Sequence, residues 1–127
     1  MNPGEMKQRT KLFALDIIQL VESLPNGRTS EVLGRQLLRS WTSIGSNYRS
    51  ACRSRSIADF ISKMGIVEEE ADESLYWMEL LIEARIDVSN KMEALMREAG
   101  EFLAITVSSI KTARKRKNLI RRETKIE

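Results

Sequence analysis

Histidine is absent from this 127-residue chain, and cysteine occurs once, at Cys52. Without histidine, a Ser-His-Asp or Cys-His catalytic site cannot be assembled, nor a zinc site of the usual Cys/His kind. A single cysteine closes no intrachain disulfide, so nothing points to an oxidising compartment. Two prolines and six glycines are too few for the many turns of an all-β protein. No apolar run approaches the ~20 residues of a membrane span, and no signal peptide opens the chain. The expectation is a cytoplasmic protein of one domain, without membrane contact. Its length suffices for a core that needs no disulfide or metal.

What is present is charge, unevenly placed. The net charge is +3. Residues 1–34 balance four basic groups with four acidic ones. Residues 35–63 set Arg35, Arg39, Arg49, Arg53, Arg55 and Lys63 against Asp59 alone. Residues 64–101 carry eleven acids and three basic groups, and residues 102–127 carry eight basic groups and two acids. The closing cluster of Lys111, Arg114, Lys115, Arg116, Lys117, Arg121, Arg122 and Lys125 is of the kind that contacts nucleic acid or acidic surfaces. The plainer alternatives are salt-bridged solvated faces and a solubilising end.

Apolar residues recur at helical spacing through most of the chain. Phe13, Ile17, Leu20, Val21 and Leu24 predict a first helix, ended by Leu24-Pro25-Asn26-Gly27. Ser30 is expected to cap a second, with Leu33, Leu37, Trp41, Ile44, Tyr48 and Ala51 on one face. Ser56-Ile57-Ala58-Asp59 resembles a capping box. It would open a third helix bearing Phe60, Met64, Val67, Ala71, Ser74, Met78 and Leu81. Asp87 or Ser89 would cap a fourth, with Met92, Met96, Ala99, Leu103, Thr106, Ile110 and Ala113 inward. Heptad steps and short turns predict an all-α, antiparallel up-and-down four-helix bundle over residues 1–113, followed by a basic tail over 114–127. Leu38, Leu75, Ile82, Leu95 and Phe102 fall beside the main stripes and widen them, which suggests a second buried surface and hence an oligomer. Gly45 and Gly65 inside predicted helices imply close helix approach, because glycine there costs ~1 kcal/mol relative to alanine.

At ~100° per residue, Arg35, Arg39, Thr42, Ser46, Arg49 and Arg53 share one side of the second helix. Arginines interleaved with hydroxyls suit phosphate oxygens, since guanidinium presents a planar fork of donors. The competing reading pairs some of them with the acidic third helix, where Glu70 and Glu73 flank the apolar stripe beside Trp77. We assign Arg39 to that structural role, and Arg49 and Arg53 to binding. Arg35, Arg55 and the C-terminal cluster complete the candidate nucleic-acid contacts. The carboxylates Glu68, Glu69, Glu70, Asp72 and Glu73 point around their helix rather than converging, with a carboxylate Mg²⁺ site as the alternative. With no histidine, no glycine-rich phosphate loop and no nucleophile–base pair, no metal, cofactor or catalysis is expected.

The run from Gln36 to Ala51, QLLRSWTSIGSNYRSA, resembles the QLxRSxxSIxxNxxEA stretch of a bacterial four-helix bundle family. That family is known from proteins encoded in intervening sequences of 23S ribosomal RNA genes. Arg55-Ser56 with Asp59 to Lys63 resembles its RSxxDFxxK segment, and Ala71 to Leu81 its AxETxYWLxLL segment. Arg9 to Ala14 is similar to its usual opening of helix 1, and the likeness extends over about residues 7–113. Ser50 stands where relatives carry Glu. The resemblance implies a homo-oligomeric ring, typically a pentamer, and a small nucleic-acid-associated protein. It also implies a likeness to the accessory variability proteins of diversity-generating retroelements, which bind nucleic acid and a reverse transcriptase. Gln36, Arg39, Ser43, Asn47, Glu70, Glu73, Tyr76 and Trp77 match the family's pattern and are expected to make interhelix or intersubunit contacts. The functional expectation is RNA or RNA–DNA hybrid binding through phosphates. A protein-interaction scaffold is the alternative.

Overall fold

The computed structural model describes residues 2–87 and 89–126. The outermost residues of the two expected segments, Met1 and Glu127, lie outside it. Four helices follow in order: α1 (Pro3–Glu22), α2 (Arg28–Ala51), α3 (Ile57–Glu83) and α4 (Asn90–Ile126). No strand occurs among the described residues.

Local chemistry accounts for each boundary. Asn2 caps α1 by accepting from the Glu5 N–H at 2.9 Å, and the Glu5 carboxylate accepts in return from the Asn2 N–H. Pro3 occupies the first turn, where its missing N–H costs nothing. Ser30 does not cap α2. Gly27, with φ of +155°, turns the chain into the helix earlier, and Ser30 is buried in the first turn. Ser56 caps α3 by accepting from the Asp59 N–H at 3.0 Å. Asp59 reaches past the cap to the Arg55 N–H, so only one arm of a capping box forms. Ser89 caps α4 by accepting from the Met92 N–H at 3.2 Å, while Asp87 accepts from the Ser89 N–H. The end of α3 is a Schellman turn. Arg85 sits at φ +59°, the Arg85 N–H donates to the Ile82 carbonyl, and the Ile86 N–H donates to the Leu81 carbonyl.

The core centres on Trp41. Its ring stacks on Phe13 at 3.8 Å and tilts against Phe102 at 6.1 Å. Leu37, Ile44, Met64, Val67, Ala71, Met78 and Leu81 are buried around it, on the faces the spacing predicts. The inward face of α4 differs. Leu95 and Phe102 are in the core, and Met96 and Leu103 lie half-buried at its edge. Three-four and four-three steps are equivalent by periodicity, and contact with Trp41 selects Phe102. The glycine expectation also fails. A methyl at Gly65 meets nothing within 4 Å, and one at Gly45 meets only Thr10 Oγ1 at 3.9 Å. Gly34 is the close approach: a methyl there lies 3.1 Å from Leu24 Cδ1 and 3.2 Å from Val21 Cγ1.

Helices consecutive in sequence pack along their lengths, whereas α1 and α4 touch sparsely. Across that seam Arg9 donates to Glu98 and, at 2.7 Å, to Glu101. Ser40 faces Ser74 with hydroxyls 2.8 Å apart. α2 and α3 pack along their lengths and are joined by the short turn 52–56, so they run antiparallel. Thr106 satisfies its buried hydroxyl on the Phe102 carbonyl one turn back. α4 has 37 residues against 27 in α3, and spans about 55 Å at 1.5 Å per residue. Ile110 is the last buried residue among its described side chains, and from Asn118 to Lys125 every side chain is exposed.

Candidate nucleic-acid interface

The arginine stripe of α2 divides into two chemically distinct halves. Arg35 donates to Glu31 one turn back at 2.9 Å, with both side chains largely exposed. Arg39 donates to Glu70 at 3.3 Å and to Glu73, while Gln36 Oε1 accepts from its Nε at 3.1 Å. Trp77 Nε1 donates to the same Glu73 carboxylate. Gln36, Arg39, Glu70, Glu73 and Trp77 thus form one polar clasp between α2 and α3, with Tyr76 edge-on to Trp77. Asn47 instead donates to the Ser43 carbonyl and hydroxyl of its own helix.

Arg49, about 20 Å further along α2 than Arg35, and Arg53 in the turn that follows stand in different surroundings. They line an open groove of about 690 Å³ together with Ser46 and Ser50 of α2, Lys7 of α1 and Lys63 of α3. Ser46 and Ser50 are one turn apart on α2, with Arg53 in the turn that follows, and the Ser46 hydroxyl donates to the Ser43 carbonyl at 3.2 Å. Lys63 is held by Asp59 at 3.2 Å, and this contact keeps the Asp59 carboxyl below its ordinary value. Lys7, Arg49 and Arg53 have no carboxylate partner among the described residues. No acidic and no aromatic side chain lines the groove. A second hollow of about 460 Å³ lies at the α1–α2 turn, where Glu22 and Glu31 accompany Arg35. Positive potential is therefore concentrated at the end of the bundle where α2 finishes and α3 starts.

Lys7 and Lys63 were not singled out by the sequence. Lys7 is on α1, and only the packing of α1 against α2 brings it beside Arg49. Arg55 is exposed in the α2–α3 turn near this end, outside the groove lining. Lys111 and the cluster Arg114, Lys115, Arg116, Lys117, Arg121, Arg122 and Lys125 lie on the unbroken continuation of α4. Because α4 runs antiparallel to α3, that continuation leaves the bundle at the groove end. Four consecutive cations on a helix, 114–117, point to all sides rather than along one face.

The remaining chemistry-bearing side chains are accounted for by packing. Tyr48 is buried and adjoins Cys52, and burial pushes its phenol well above the ordinary value. Glu98 is held below the ordinary carboxylate value by hydrogen bonding to Arg9. Among the described residues no three or more His, Cys, Asp or Glu side chains gather as for a metal ion. None of the helices described is long and apolar enough to cross a membrane.

Comparison with known proteins places this geometry. The chain is similar to a protein of unknown function from the S23 ribosomal protein family of Bacteroides thetaiotaomicron, known from its crystal structure. The two share 37% identity and a TM-score of 0.80, over 87% of this chain and 99% of the other. Among curated proteins no match is found. Residues 4–108 match the family described as 23S rRNA-intervening sequence protein, a span that contains the clasp and the groove and stops before Lys111. The chain belongs to the 23S rRNA-intervening sequence protein family.

Proposed function

We propose that the protein is a non-catalytic nucleic-acid-binding accessory protein that holds RNA, or an RNA–DNA hybrid, through its phosphates. The observation that carries this reading is the groove in which Lys7, Arg49, Arg53 and Lys63 converge from three helices without an acidic neighbour in its lining. The cationic continuation of α4 at the same end supports it. The family's name, which refers to ribosomal RNA, agrees with it. Absence of aromatics from the groove favours backbone contacts over base stacking. The same reading has copies of the chain joining in a ring, a pentamer by the family resemblance, in the cytoplasm. A ring would repeat the groove and sharpen salt dependence by multivalency. The exposed Leu12, Leu15 and Ile18 on α1 and Tyr76 on α3 supply apolar surface for such contacts. Assistance to a reverse transcriptase in a diversity-generating retroelement is the narrower form, resting on resemblance alone.

The test is RNA affinity across ionic strength for the intact chain, for Arg49→Gln with Arg53→Gln, and for a chain ending at 113. Both variants are expected to bind more weakly, and the paired glutamines to reduce the salt slope by about 1.4–1.8. If the intact chain binds neither RNA nor hybrid at low salt, the scaffold reading replaces this one. Light scattering reads the oligomer independently, and a monomer removes the ring.

A further inference from the structure

The geometry points to a narrower ligand for the groove: a phosphorylated strand end, meaning a terminal phosphate monoester together with the phosphodiester next to it. This rests on the nucleic-acid reading above and adds which part of the strand the groove takes.

Three observations carry it. First, the positive charge of α2 does not continue along the helix. Between Arg28 at its start and Arg49, the cations of α2 are engaged, Arg35 by Glu31 and Arg39 by Glu70 and Glu73, so past Arg28 the unpartnered ones gather at its end beside Arg53 of the turn. An internal stretch of backbone spreads single charges along the strand and is matched by a track of cations. A concentrated cluster matches a concentrated anion. Second, the charges agree in size. Lys7, Arg49 and Arg53 stand without carboxylates, and Lys63 is offset by Asp59. A terminal monoester carries about −1.5 to −2 near neutrality, and its neighbouring diester adds one more, close to three in all. Third, the donor set is right for a terminal phosphate. Arginine forks engage pairs of oxygens, lysine supplies compact charge, and Ser50 adds a hydroxyl to the same lining. The groove, at about 690 Å³, has room for more than one phosphate, and no ring lines it to hold a base. Recognition therefore falls on the end's charge and not on its sequence.

The experiment uses the full chain and three single-stranded RNAs of one sequence, bearing a 5′-phosphate, a 3′-phosphate or hydroxyls at both ends. Fluorescence anisotropy at near-physiological salt gives the affinities. At least one phosphorylated RNA is expected to bind about tenfold more tightly than the hydroxyl RNA, and the two phosphorylated arms identify which end is taken. Arg49→Gln with Arg53→Gln should erase that preference. Lys7→Gln, an exposed change on a different helix that leaves α2 intact, should reduce it by about threefold. Arg121→Gln with Arg122→Gln on the α4 continuation should weaken all three RNAs alike and keep the preference. Equal binding of the three RNAs, all weakened by the groove variants, overturns the inference and leaves nucleic-acid binding standing. A preference that survives the groove variants also overturns it. Binding of none of the three overturns both.

Discussion

Replacing Arg39 by Gln separates structural from binding arginines on one helix. Arg39 is about half exposed, with 49% of its side chain accessible, but its partners are less so, at 17% for Glu70 and 36% for Glu73. Removing the guanidinium leaves two carboxylates side by side at a helix interface. An exposed pair alone is worth about 0.2–1 kcal/mol. Two pairs, with one partner largely buried, raise the loss to about 1–2 kcal/mol once solvent screening is allowed for. For a domain of this size that lowers the unfolding midpoint by roughly 4–8 °C. Thermal and urea unfolding of Arg39→Gln and Glu73→Gln, singly and together, measure it. The double variant should lose less than the two singles summed, because each single strands a charge. RNA affinity of folded Arg39→Gln should stay within about twofold of the parent. Arg49→Gln should behave oppositely, with stability nearly unchanged and affinity reduced. Loss of RNA affinity at Arg39 with stability intact would refute the division of the stripe.

Arg85 occupies a left-handed conformation at φ +59°, so Arg85→Gly should stabilise by about 1 kcal/mol in urea unfolding, with Arg85→Ala giving no gain. Gly65→Ala should stabilise by about 0.5–1 kcal/mol through helix propensity, since a methyl there meets nothing. Gly34→Ala should fall below it by at least about 1 kcal/mol, because Leu24 and Val21 must yield. Glu98 has its pKa lowered in the folded state by Arg9, so its contribution is present above the ordinary glutamate value of 4.5 and is lost as pH falls through the lower folded value. Glu98→Gln should accordingly be less stable than the parent near neutrality and converge with it in acid, as measured by midpoint against pH.

Periodicity carried the bundle because its signal is local. Met64, Val67, Ala71, Ser74, Met78 and Leu81 step by threes and fours, and every one of them is buried. The register of α4 was ambiguous for the same reason: Leu95 with Phe102 and Met96 with Leu103 satisfy the same repeat. Only the Trp41 ring, contributed by another helix, distinguishes them. Ser30 looked like a cap by type, but the φ of Gly27 decides where α2 begins. In the candidate site, Arg49 and Arg53 were readable from their shared face. Lys7 was not, since more than forty residues separate it from Arg49 and only tertiary packing joins them. The acids that neutralise Arg39 are likewise a property of the α2–α3 pairing.

The sparse α1–α4 seam has a kinetic consequence. Apart from the Trp41–Phe102 ring contact between α2 and α4, the other interfaces join helices adjacent in sequence, so most of the core is reached by closing short loops, a topology of low contact order and fast folding. The contacts of Arg9 with Glu98 and Glu101 close a loop of about ninety residues and are expected to form last. Weakening them should leave the folding rate nearly unchanged and accelerate unfolding, with α1 the first helix to lose its amide-exchange protection.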